Sequence, residues 1–164
     1  MKRISAILLL IAIMISTSSC SSLRRNQPEN QVKISFVNEA ADSVYGIQIE
    51  YLIDRVRIGG MEASNDPEMT EPFERNEKIY CGIPEKMVLE GAETIPFGLL
   101  VYVTVEDQRS VPLKFMWEWT AEYNSEYIFI LGGSEKDGYT VSSSGSGFAC
   151  TVTSWDKLPA ELLE

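Results

Sequence analysis

Histidine is missing from all 164 residues, and cysteine occurs only three times. Without imidazole there is no Ser-His or Cys-His catalytic pair and no His-ligated zinc or haem. Cys20, Cys81 and Cys150 stand far apart with no C-x-x-C spacing, so they do not form a thiolate metal site by sequence. Basic residues are scarce: 14 Lys and Arg face 24 Asp and Glu, for a formal charge of −10. A phosphate backbone is bound by displacing counterions with Lys and Arg, so nucleic acid is not an expected partner. The Gly/Ser-rich stretches at 132–134 and 142–147 lack the Gly-Lys-Ser/Thr step of a phosphate loop and lead into no helix, so they read as turns. Nothing calls for a cofactor or a metal, and the chain is not expected to be an enzyme.

Met1, Lys2 and Arg3 precede an apolar run, Ile4 to Ile15, and then Ser16-Thr17-Ser18-Ser19-Cys20. A charged start, a short apolar core and small residues make a secretory signal. The apolar run is well short of the ~18 residues of a spanning helix. Small residues running into one cysteine resemble the lipobox of bacterial lipoproteins. The resemblance covers residues 1–20 and implies cleavage before Cys20 and acylation of its sulfur. Thr17 departs from the leucine usual in that family. Each buried methylene contributes about 0.8 kcal/mol, and two or more chains anchor stably. The expected organisation is a signal peptide at 1–19, a polar tether at 20–31 and one domain at 32–164. Residues 21–31 (SSLRRNQPENQ) reach up to about 36 Å. Arg24 and Arg25 are placed to touch anionic headgroups. The expected location is the cell envelope, held to a membrane through N-terminal lipid. Processing would leave the mature chain at −12, since residues 1–19 carry two basic residues and no acid.

Period-two patterning dominates from residue 32. Val32, Ile34 and Phe36 alternate; Ile47, Ile49, Tyr51 and Ile53 share a face; Ile79, Cys81 and Ile83 make a third stripe. Residues 97–105 (FGLLVYVTV) form a long strand, followed by a stripe of Leu113, Phe115, Trp117 and Trp119. Pro112 donates no ladder hydrogen bond, which places it at an edge or a bulge. Residues 127–131, 139–141 and 147–152 complete the set, with a turn expected near Met87–Leu89 and one or two helical turns from Pro159. This pattern predicts an all-β fold: one antiparallel β-sandwich of about eight strands, preceded only by the signal-peptide helix. The stretch from Ile34 to Val105, with its strand-Asn opening, β-branched second strand and later Gly-rich hairpin, resembles the immunoglobulin-like sandwiches of exported bacterial proteins. The resemblance is architectural and carries no functional residues.

Three candidate sites follow. Cys81 and Cys150 lie on apolar faces of different strands; they form either a disulfide, which export permits, or two buried thiols. The stretch 59–75 (GGMEASNDPEMTEPFER) reads as a long acidic loop, in which Glu62, Asp66 and Glu68 are candidate ligand-binding residues. Phe115, Trp117 and Trp119 project to one side, as a core wall or as an aromatic platform for a sugar or peptide, with Trp117 and Trp119 as the candidate binding residues. The functional expectation is a lipid-anchored binding domain for an envelope protein or glycan. The alternative is a structural accessory subunit with an open strand edge.

Overall fold

The computed structural model describes residues 31–84, 94–143 and 148–162. The leader, Cys20, nearly all of the tether and the turn expected near Met87–Leu89 lie outside them. Nine strands follow one another: β1 (Gln31–Asn38), β2 (Gly46–Ile53), β3 (Val56–Ser64), β4 (Lys78–Pro84), β5 (Thr94–Thr104), β6 (Ser110–Glu122), β7 (Glu126–Ser134), β8 (Gly138–Ser142) and β9 (Thr151–Ser154). Two short 3-10 turns, Trp155–Lys157 and Ala160–Leu162, end the described chain. Strands β4-β1-β7-β8 form one sheet and β3-β2-β5-β6-β9 the other. The two sheets share one core, a sandwich-like arrangement.

Two expectations are corrected. The first is wholly antiparallel pairing: β1 and β7 run parallel, with Ile34 beside Tyr127 and Phe36 beside Phe129. Side chains alternate with period two in either pairing, so the sequence pattern does not distinguish them. The second is the loop at 59–75. Its first six residues belong to β3, which pairs with β2. The Gly59-Gly60 step looks like a turn but answers to close approach. A Cβ on Gly59 would come within 2.8 Å of the Tyr51 hydroxyl, and one on Gly60 within 2.9 Å of the Ile49 carbonyl oxygen.

The core is built from the inward face of each strand. Ile34, Phe36, Cys81, Phe129 and Leu131 of one sheet meet Ile47, Ile49, Phe97, Leu99, Val101 and Trp117 of the other. Trp119 bridges the layers, 4.8 Å from the Phe97 ring and 5.6 Å from Phe129. A second, smaller cluster lies on the outer face of the five-stranded sheet. There Leu52, Leu100 and Met116 are buried beneath Trp155, Leu158 and Leu162 of the C-terminal segment.

The sandwich has two unlike ends. At the near end the chain comes in at Gln31, whose carbonyl accepts the Asn124 N–H at 2.8 Å. At the far end β1 finishes at Asn38, about 23 Å away at 3.3 Å per residue. Four connections gather there: residues 39–45, 65–77, 105–109 and 135–137. They are tied to one another and to the strands. Tyr45 N–H donates to Thr104 O (2.9 Å), Ala41 N–H to Gly133 O (2.8 Å) and Phe73 N–H to Val44 O (2.8 Å). The Asn38 amide donates to the carbonyls of Phe73 and Glu74.

Candidate functional site

Of the two readings of the aromatic stripe, core wall or platform, Trp117 and Trp119 take the first. Trp117 and Trp119 are only 2% and 6% exposed, and their rings face Phe97, Phe115, Tyr127, Phe129 and Phe148. Neither indole N–H finds an acceptor among the described residues. The stripe also breaks. The register passes from Leu100 opposite Met116 to Tyr102 opposite Pro112, so Leu113, Lys114 and Phe115 bulge opposite Val101. Lys114 takes a left-handed φ of 55°, and Phe115 turns outward at 41% exposure. Strand β9 covers only Phe115–Glu118 of β6. Pro112 thus lies where β6 has no partner on that side among the described residues, the place its missing N–H suits.

The other candidates are dispersed. Glu62 projects from β3, opposite Gln48. Asp66 holds its own loop, accepting from the N–H groups of Thr70 (2.9 Å) and Glu71 (3.0 Å) and from the Thr70 hydroxyl (3.0 Å). These bonds, led by that from Glu71, hold its carboxyl below the usual aspartate range. Glu68 is exposed and contributes its backbone carbonyl, which accepts from the Gln108 amide at 3.1 Å. The three acids therefore make no joint site. Cys81 and Cys150 are both free thiols; the disulfide option is not realised. Cys81 lies inside β4, while Cys150 precedes β9 at an edge of the opposite sheet. Burial pushes the Cys81 thiol up to about 12.

What the sequence did not single out is the far end itself. Eleven of the 24 acidic residues sit on its four connections: Glu39, Asp42, Asp66, Glu68, Glu71, Glu74, Glu77, Glu106, Asp107, Glu135 and Asp137. Only Arg75, Arg109 and Lys136 oppose them. Between three of the connections opens a groove of about 700 Å³, lined by Ala41, Asp42, Ser43, Val105, Glu106, Glu135, Lys136 and Tyr139. That volume lies within the range of small-ligand sites. Asp42 is fixed by the Glu135 N–H, which donates to its Oδ2 at 2.7 Å. Arg109 joins Glu135 to Asp107 across the rim.

Tyr139 is the unusual member. It is 7% exposed, and its buried hydroxyl has no hydrogen-bond partner among the described residues. An unpaired buried hydroxyl costs about 1–3 kcal/mol. Burial first, and then the Asp42 and Glu135 carboxylates, push its pKa up; Arg109 partly offsets them. The groove thus sets an unsatisfied hydroxyl among carboxylates. Asp42, Glu106, Glu135 and Tyr139 come from separate parts of the chain, and only the topology brings them together. The one signal in the sequence was the density of acids in its turns.

A smaller concavity of about 370 Å³ lies at the near end, on the outer face of the five-stranded sheet. Asp54, Arg55, Pro96, Gly98, Glu118 and Thr120 contribute to its lining. Asp54 and Arg55 form a two-residue hairpin turn with φ of 50° and 61°, which glycine or asparagine ordinarily fills. From that turn the Arg55 guanidinium grips both oxygens of Glu118, at 3.0 and 3.2 Å. Its charge is already answered within the chain. Among the described residues no group of three or more Cys, Asp or Glu side chains is placed to hold a metal ion. No protein-family model, curated protein or solved structure matches the chain.

Proposed function

We propose that the chain is a lipid-anchored lipoprotein of the cell envelope, whose immunoglobulin-like sandwich is a non-enzymatic binding domain. In this reading Cys20 carries the lipid, residues 21–31 span the gap, and the far-end groove meets an envelope protein or glycan. The anchor rests on the resemblance of residues 1–20 to a lipobox. The observation that carries the binding role is the placement of the groove. It opens at the end of the sandwich opposite Gln31, where a tether from Cys20 would hold it away from the bilayer. Binding residues are commonly held on loops positioned by a rigid scaffold, as these are. Acidic loops also disfavour contact with anionic lipid, which supports the same orientation.

The anchor is tested on the native product. Mass spectrometry of the membrane-extracted protein is expected to find Cys20 at the N-terminus with added acyl mass, and Cys20→Ala is expected to leave the processed membrane fraction. A processed, membrane-bound Cys20→Ala chain contradicts the proposal. The second reading, an accessory subunit paired through a strand, has one observation in its favour: β3 is an outer strand with Val56 and Ile58 exposed. Lysine at both positions would abolish assembly in that case and leave groove binding intact in the first.

A further inference from the structure

The geometry points to a primary ammonium group as the chemistry that the far-end groove takes, with Asp42, Glu135 and the Tyr139 hydroxyl oxygen as its acceptors. The inference rests on the reading of that groove as the binding site. An ammonium brings three N–H donors and no acceptor. Asp42 is held in place by the Glu135 N–H on Oδ2, and its other oxygen takes no hydrogen bond from the described residues. Glu135 is steadied by Arg109, so both carboxylates are held before any ligand arrives. The Tyr139 hydroxyl is buried and unpaired among the described residues, and Tyr139 lines the groove with both carboxylates, whose charge it feels. A ligand N–H donated to the tyrosine oxygen would satisfy it, and the tyrosine proton would be free to turn toward a carboxylate.

Other classes fit less well. An anion would enter a region with eleven acids and three basic residues. A neutral sugar would leave the excess negative charge unused. Calcium-like ions need six to eight oxygens, and no described cluster is arranged for one. A guanidinium prefers a bidentate carboxylate, and Glu135 already answers one guanidinium, that of Arg109. Lys136 also lines the groove and repels a second cation, so its neutralisation should tighten binding.

A primary ammonium can arrive on a free polyamine or on an amino sugar of a deacetylated glycan, and one experiment separates the two. The full chain, purified in detergent, is titrated in a calorimeter with spermidine and with a glucosamine tetramer. An N-acetylglucosamine tetramer is the neutral control. Saturable binding of an amine and none of the acetylated control is expected. A response to spermidine alone assigns a free polyamine; tighter binding of the glucosamine tetramer assigns a glycan. Tyr139→Phe is the decisive variant, because it leaves the net charge unchanged and so preserves any diffuse attraction of cations to an acidic surface. It should weaken amine binding about five-fold, as the loss of one hydrogen bond does, and raise the thermal midpoint of the free protein. Lys136→Gln should tighten binding. Equal binding of the acetylated tetramer, undiminished amine affinity in Tyr139→Phe, or no heat from either amine at about 10 mM, beyond the range of even a weak site, would each overturn the inference. A Tyr139→Phe chain that gains stability while no amine binds would retire the ammonium and leave the groove as a site for another chemistry. The lipid-anchor test at Cys20 is separate and unaffected by any of these results.

Discussion

At the scale of single residues, backbone conformation and burial make the sharpest demands. Gly133 takes a φ of 81°, and a Cβ there would collide with the Gly138 carbonyl across the β7–β8 hairpin. Gly133→Ala should therefore cost about 2–4 kcal/mol, the left-handed penalty plus local overpacking, read as a lower denaturation midpoint. The Cys81 thiol, with its pKa near 12, should resist alkylation at neutral pH until the domain unfolds; rapid native labelling at Cys81 would contradict its placement. Glu126 shows a pH effect of defined sign. The Lys78 ammonium, at 2.7 Å, and then the Ser35 hydroxyl hold its carboxyl below the usual range. Its contribution is present above the ordinary glutamate value of about 4.3 and fades as pH falls from there through the folded value. Both side chains are well exposed, so the pair is worth only about 0.2–1 kcal/mol. Lys78→Met should flatten the pH dependence of stability below about pH 4.3 by that amount.

At the scale of elements, strands with two-residue periodicity were legible and their partners were not. The stripes of β1, β2, β4 and β5 stand plainly in the sequence because their inner residues meet the opposite sheet. Strand β3 was hidden by Gly59-Gly60, which glycine occupies to let Tyr51 and Ile49 approach. The Trp117–Trp119 wall was legible, but the outward turn of Phe115 was not, because the bulge at Lys114 exists only in register with β5. The C-terminal turns were foreseen as helical, without their role. Trp155, Leu158 and Leu162 cover Leu52, Leu100 and Met116, and the Arg57 guanidinium donates to the Leu162 carbonyl at 3.1 Å. Deleting residues 155–164 should cost about 2–4 kcal/mol, roughly one per partly buried apolar side chain. It should also promote self-association through the uncovered sheet face, seen by sedimentation.

At the scale of the molecule, charge is distributed by position. The far end concentrates eleven acids on four connections, while the near end receives the chain at Gln31. Crowded carboxylates repel one another, so added salt should stabilise the domain. Between about 10 and 150 mM, where the screening length falls from about 30 to 8 Å, the thermal midpoint should rise, and Glu106→Gln should reduce the rise. A midpoint that falls with salt would mean that attractive pairs such as Arg109–Glu135 outweigh the repulsion. The total charge was legible from composition; its segregation was not, because it depends on which turns the topology sends to the same end. The central claim is that this acidic end, around Tyr139, is where the protein binds. Nitrogen-15 shift mapping of the full chain during a spermidine titration tests it most directly. Shifts concentrated at 39–45, 105–109 and 134–139 are expected, with 54–55 and 149–151 silent; shifts centred on the Arg55–Glu118 concavity, or spread evenly over the surface, would contradict it.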